Sequence, residues 1–212
     1  MQLNKFIDHT NLKPTATPGD IKKLCSEAIA HQFYAICINS CYVKLAYEEL
    51  KTSEIKLAAV VGFPLGAMDM NSKVFEAEQC IANGADEIDM VINIGQLKAG
   101  NIELVENEIA LIKKAIGRKI LKVIIETCYL SEEEKIAACE CALRAKANFV
   151  KTSTGFGTSG ASFDDVKLMK SVVKEELQIK ASGGIKDTET AEKYIKMGVA
   201  RLGTSSGISI IQ

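Results

Sequence analysis

Tryptophan is absent from the 212 residues, aromatics make up 6%, and there are only three prolines and two histidines. With so few aromatic rings there is no stacking platform for nucleic-acid bases. Charge of one sign is lacking too: 26 basic residues stand against 27 acidic ones, net −1, so no polyanionic partner is expected. No window reaches the roughly 18 apolar residues that a membrane span needs, because the run 57–63 stops at Pro64 and Gly66. Residues 1–10 lack the basic-then-apolar pattern of a signal peptide, and a cytoplasmic location is expected. The seven cysteines form no C-x-x-C pair, and with only His9 and His31 to help them a zinc cluster is hard to build. They read as reduced thiols buried as small hydrophobes, and no metal or cofactor is expected.

What is present is alternation. Short β-type runs at 6–9, 33–38, 57–62, 87–93, 121–127, 149–153, 178–182 and 201–203 are separated by amphipathic stretches near 18–31, 42–51, 71–83, 101–117, 131–146, 163–176 and 187–197. Helix starts are marked by Thr17 before Pro18 and Asp20, by the Ser131…Glu134 capping box and by Asp187. Gly84, Gly117 and Gly198 stand where helices stop. Eight βα units in 212 residues, about 26 each, with no Ser- or Pro-rich linker, predict one domain over 1–212. An open doubly wound sheet would carry G-x-G-x-x-G after its first strand, and the chain has Asp-His-Thr-Asn-Leu there. The prediction is a single α/β domain, a closed (β/α)8 TIM barrel.

Strand parity then becomes a map, because alternate residues face the barrel interior and ligands bind at the strands' C-terminal ends. In the run 87–93, Ile88, Met90 and Ile92 suit a helix-covered face, which turns Glu87, Asp89, Val91 and Asn93 inward. The same parity groups Lys122 with Ile124 and Glu126, Lys151 with Phe149 and Ser153, and Lys180 with Gln178 and Ser182. Lysine is almost never fully buried without a partner or a task. Lys151 and Lys180 on neighbouring strands lie roughly 5 Å apart in the sheet direction. Like charge and desolvation then favour one neutral amine, the nucleophile that forms a Schiff base with a carbonyl. The other lysine and Asp89 can move protons. Cys37 shares the inward parity of Ala35, where two readings stand open, an inert packed thiol and a thiolate favoured by a neighbouring ammonium. Glycine-rich turns follow three strands, at 154–157, 182–185 and 203–207, and such turns aim backbone amides at an anion.

These segments resemble the deoxyribose-phosphate aldolase family. The resemblance is carried by residues 7–14 (IDHTNLKP), 35–38 (AICI), 61–66 (VGFPLG), 86–95 (DEIDMVINIG), 121–127 (LKVIIET), 149–155 (FVKTSTG), 180–186 (KASGGIK) and 201–207 (RLGTSSG), collinear over nearly the whole chain. It implies Lys151 as Schiff-base lysine, Lys180 as proton-handling lysine and Asp89 as acid/base carboxylate. Phosphate contacts are implied at Gly155, Gly183, Gly184, Gly203, Thr204, Ser205 and Ser206, with Lys186 as a nearby cation. Asp8, Thr10, Cys37 and Lys122 are further candidates for the pocket. Where some relatives have a lysine the chain has Phe156, and no role is assigned to its carboxyl terminus. The implied reaction is reversible cleavage of 2-deoxy-D-ribose 5-phosphate to D-glyceraldehyde 3-phosphate and acetaldehyde, in deoxynucleoside catabolism, by a cytoplasmic homo-oligomer, dimer or tetramer. Two rivals stay open: another lysine-dependent sugar-phosphate aldolase or transaldolase, and a non-catalytic sugar-phosphate-binding barrel.

Overall fold

The computed structural model describes residues 2–212. Eight parallel strands close into a barrel in sequence order: β1 Ile7–Asn11, β2 Ala35–Ile38, β3 Lys56–Val61, β4 Glu87–Val91, β5 Ile120–Ile124, β6 Phe149–Lys151, β7 Gln178–Ser182 and β8 Arg201–Thr204, with β8 pairing back onto β1. The helices are α1 Pro18–Ala30, α2 Val43–Leu50, α3 Met70–Ala82, α4 Ile94–Lys98, α5 Ile102–Ile116, α6 Glu132–Arg144, α7 Phe163–Val173, α8 Thr188–Lys196 and α9 Gly207–Ile211. The predicted barrel and its seven long helices are therefore present.

The helix starts form as the sequence indicates. Thr17 and Asp20 make a reciprocal capping box, Ser131 and Glu134 make another, and Asp187 accepts from the Thr190 amide. Such caps are each worth about 0.5–2 kcal/mol. The differences are at strand ends. β4 stops at Val91, because Asn93 turns away to cap α4, its Oδ1 accepting from the Gln96 amide. The inward position read for Asn93 is thus wrong. Glu126 adopts a left-handed conformation (φ 55°) and ends β5 early. α4 and α9 have five residues each, too few to show a helical period.

Parity sorts the strand residues into two worlds. Ile36, Ile38, Ile88, Met90, Leu121, Val123, Val150, Ile179 and Leu202 face outward and pack with the helices in one continuous core. Inside, Leu12, Cys37, Ala58 and Val60 form a small apolar cluster with Phe63 packed against it. Ala35, Val91, Ile124 and Phe149 share that interior with a charged set, Asp8, Glu87, Asp89, Lys122, Lys151, Lys180 and Arg201, all of them buried. All seven cysteines are free thiols and five are buried, whereas Cys41 is exposed and Cys128 half-buried. Among the described residues no helix is long and apolar enough to cross a membrane.

Candidate active site

The charged interior is built strand by strand. Register places Lys122 beside Asp89 and Lys151 beside Lys180. Asp89 is the hub. Its Oδ1 accepts from Lys122 Nζ at 2.7 Å, and its Oδ2 accepts from both Lys151 and Lys180, each at 2.8 Å. Asp8 Oδ2 accepts from Lys180 at 2.5 Å, and Asp8 Oδ1 from Arg201 at 2.9 Å. Glu87 accepts from both terminal nitrogens of Arg201, at 3.0 and 3.3 Å, and pairs with Lys122. The Arg201 guanidinium lies 3.2 Å over the Tyr34 ring, closing the base.

The charges hold one another. Burial raises the Asp89 pKa, but Lys122, Lys151 and Lys180 outweigh it and keep the carboxyl well below its usual range. Burial lowers the Lys180 pKa, and the Asp8 and Asp89 carboxylates reverse that to a net rise. Lys151 and Lys180 are therefore not the bare like-charge pair that their adjacency suggests, because one carboxylate oxygen stands between them. Of the two readings of Cys37, the packed thiol fits. Burial raises its pKa more than the Lys180 ammonium lowers it, so it is held as a thiol and not a thiolate.

Above this floor a cavity of about 470 Å³ opens at the C-terminal ends of β1, β6, β7 and β8. Of the floor lysines only Lys151 lines it, together with Thr10 and every residue assigned to the phosphate: Gly155, Gly183, Gly184, Lys186, Gly203, Thr204, Ser205 and Ser206. Asp8, Cys37 and Lys122, expected as pocket residues, are instead sealed beneath with Asp89 and Lys180, at 0% exposure. Gly183 is left-handed (φ 85°), and a Cβ there would lie 2.8 Å from the Gly160 backbone, so glycine is required where two loops cross. Thr204 spends its hydroxyl internally, donating to the Ile185 carbonyl at 2.7 Å and accepting from the Ser206 amide at 2.9 Å. Its hydroxyl proton is thus already committed, and the Ser205 and Ser206 side chains are the hydroxyl donors left in that loop. Phe156 meets Phe63 edge-on at 5.4 Å, which makes that rim an apolar edge.

Sequence reading missed Arg201 as a member of the floor, although it shares inward parity with Gly203 and begins its strand. It also missed His9, whose Nε2 pairs with Glu27 at 2.9 Å at the cavity edge. Glu126 proves to be a loop anchor. It accepts from the Thr154 amide at 3.1 Å and from its hydroxyl, fixing the turn that follows Lys151.

The profile of the DeoC/LacD family aldolases matches residues 3–212. This chain belongs to that family. A deoxyribose-phosphate aldolase of Bdellovibrio bacteriovorus is 56% identical over 212 residues, covering 100% of this chain and 96% of the relative. The Thermotoga maritima enzyme of that name is 56% identical over 206 residues, covering 97% and 83%. A tetrameric deoxyribose phosphate aldolase of Aeropyrum pernix, solved as a structure, superposes with a TM-score of 0.90 at 30% identity, covering 99% of this chain and 89% of that one. The chain is accordingly an aldolase, a lyase on a (β/α)8 barrel, as its motifs imply. For an aldolase of this family, the reading as a non-catalytic binding barrel falls away.

Proposed function

We propose that the chain cleaves 2-deoxy-D-ribose 5-phosphate reversibly to D-glyceraldehyde 3-phosphate and acetaldehyde, through a Schiff base on Lys151. One observation carries the assignment of the nucleophile. Lys151 is the floor lysine that reaches the cavity, and it meets a single carboxylate, Asp89, whereas Lys180 meets two and Lys122 three. It is the ammonium that can give up its proton with least loss of ion pairing.

The neutral amine attacks the C1 aldehyde of the open-chain sugar, and loss of water gives an iminium. Removal of the C3 hydroxyl proton lets the C2–C3 bond break, which releases D-glyceraldehyde 3-phosphate and leaves an enamine on Lys151. A proton returned to C2 and addition of water then free acetaldehyde and the amine. Lys180, held protonated, is the acid of the set, and Asp89, held ionised, is the base that links it to Lys151. Lys180 is wholly buried, so its proton travels by way of Asp89 Oδ2. The phosphate dianion takes the Gly155, Gly183, Gly184 and 203–206 corner, where backbone amides and the Ser205 and Ser206 hydroxyls converge and Lys186 adds charge. A reducing cytoplasm, which seven free thiols suit, and a role in deoxynucleoside catabolism, which the family resemblance implies, belong to this reading. Self-association belongs to the same reading, supported by the tetrameric Aeropyrum relative and by exposed Leu65 and Phe75.

Borohydride reduction in the presence of acetaldehyde tests the proposal. A single two-carbon adduct mapped to Lys151 is expected; no adduct, or one on another lysine, would refute it.

A further inference from the structure

The base of the barrel holds charges that the reaction steps above do not use. Arg201 and Glu87 lie two residues below Gly203 and Asp89 on β8 and β4, and they pair with each other at 3.0 Å, side chains 6% and 2% exposed. Neither lines the cavity. Both are tied into the cluster that ends at Lys151: Arg201 through Asp8 to Lys180, and Glu87 through Lys122 to Asp89. Four cations and three carboxylates are linked in this way, with Lys151 at the open end. A buried ion pair is weak evidence for stability in itself. Two members of opposite sign at the closed end of a low-dielectric tube nonetheless act on the amine at the other end.

We propose that Arg201 and Glu87 are opposed positioning residues for imine formation: each shifts the pH at which the Lys151 amine becomes nucleophilic, in opposite directions, and as a pair they hold that pH by cancelling one another. This inference rests on the reading of Lys151 as the Schiff-base lysine. Asp89 touches Lys151, and Asp8 of β1, Cys37 of β2, Glu87 of β4, Lys122 of β5, Glu126 just after it, Lys180 of β7 and Arg201 of β8 share the buried interior with it, while His9, Lys13, Asp20, Lys23, Glu27 and Lys186 line its cavity. To that interior β3 contributes the apolar Ala58 and Val60. Because all the others stay in place, removing one distant charge at a time shifts the balance in a direction fixed by its sign. Losing the Glu87 anion disfavours the ammonium, and losing the Arg201 cation favours it. Lys122 keeps Asp89 at 2.7 Å and Asp8 at 3.7 Å when Glu87 is removed, so it remains charged and the change is felt at Lys151. At roughly 10 Å and an effective dielectric near 20, one unit charge moves a titration by about one pH unit.

The measurement is brief exposure to acetaldehyde at a series of pH values, then quenching into borohydride at one fixed pH and mass spectrometry of the Lys151 peptide. Glu87→Gln, near-isosteric, should move the midpoint of adduct formation down by about one unit. Arg201→Gln should move it up by a similar amount, and Arg201→Lys, which keeps the charge, should leave it near wild type. The double variant Glu87→Gln/Arg201→Gln should return it toward wild type. A purely structural role predicts lost amplitude in both single variants with no opposed shift. Shifts of the same sign, or a Glu87→Gln protein that traps at Lys151 with an unmoved midpoint, would overturn the inference. If Arg201→Gln does not fold, Glu87→Gln and Arg201→Lys decide it. A wild-type protein without a Lys151 adduct would refute the functional reading itself, and this inference with it.

Discussion

Lys73 and Lys180 are both wholly buried, yet they do different things. Lys73 sits on α3 behind β4, where its ammonium meets Glu108 of α5 at 2.8 Å and the Val91 carbonyl at 2.9 Å. Glu108 in turn accepts from the Asn93 amide. There is one counter-ion, and burial wins: the Lys73 pKa is pulled down and that of Glu108 is pushed up. Lys180 has two carboxylates, Asp8 and Asp89, and there the carboxylates win. Burial of a lysine therefore does not by itself mark a reactive site. The number of counter-ions fixes how firmly the charge is held, and connection to an open cavity fixes whether that charge can be used. The Lys73 pair is closed on all sides and pins α3 and α5 to the end of β4. The Lys180 set opens upward through Asp89 to Lys151.

Substitutions can break this contrast. Lys151→Leu should abolish both turnover and borohydride trapping, because no other amine among the described residues joins the floor to the cavity. An adduct formed at wild-type rate in that variant would place the nucleophile elsewhere. Lys180→Leu removes the firmly held proton. Turnover should fall at least roughly a hundredfold, the low end of an acid–base contribution. With one positive charge gone from beside Lys151, its ammonium is favoured, so the pH at which trapping turns on should rise. An unmoved trapping profile would leave Lys180 a proton carrier without influence on Lys151.

Ser205→Glu sharpens the other half of the site, the mouth as opposed to the floor. A carboxylate at the anion corner should lower kcat/KM for the phosphorylated sugar at least roughly tenfold, the equivalent of about 1.4 kcal/mol. Cleavage of unphosphorylated deoxyribose should change much less. Equal losses on both sugars would mean damage to the floor, and no loss on either would move the phosphate toward Gly155 and Gly184.

The smallest effect on turnover is expected at Lys73→Met. Removing one partner of a buried ion pair costs about 3–5 kcal/mol of stability. Because burial already raises the Glu108 pKa, that carboxyl can take up a proton, and the lower figure is the expected one. Urea unfolding should therefore show a loss near 3 kcal/mol, with kcat per folded molecule close to wild type. A large fall in kcat with stability intact would make Lys73 part of the chemistry and erase the distinction from Lys180.

The elements were legible because their causes are local. A period of two residues with apolar outward positions identified the strands, and Thr17, Ser131 and Asp187 marked helix starts by their own side chains. Parity brought Asp89, Lys122, Lys151 and Lys180 to one interior, since a strand has only two faces. The same rule failed at Asn93, where a five-residue helix claimed the side chain as its cap. It also cannot separate lining from floor: parity alone gives Asp8, Cys37 and Lys122 the standing of pocket residues, although depth along the barrel axis seals them off.

Tertiary structure alone decided the partners. Asp8 and Arg201 are 193 residues apart and bond because β8 closes onto β1. The like-charged lysines are separated by an Asp89 oxygen whose position depends on three strands at once, and Cys37 remains a thiol because burial outweighs a neighbouring ammonium. Periodicity, caps and turns are properties of neighbouring residues, and the sequence by itself determined them. How many counter-ions surround a buried charge, and whether it touches solvent, depends on ring closure, which brings together residues from both ends of the chain.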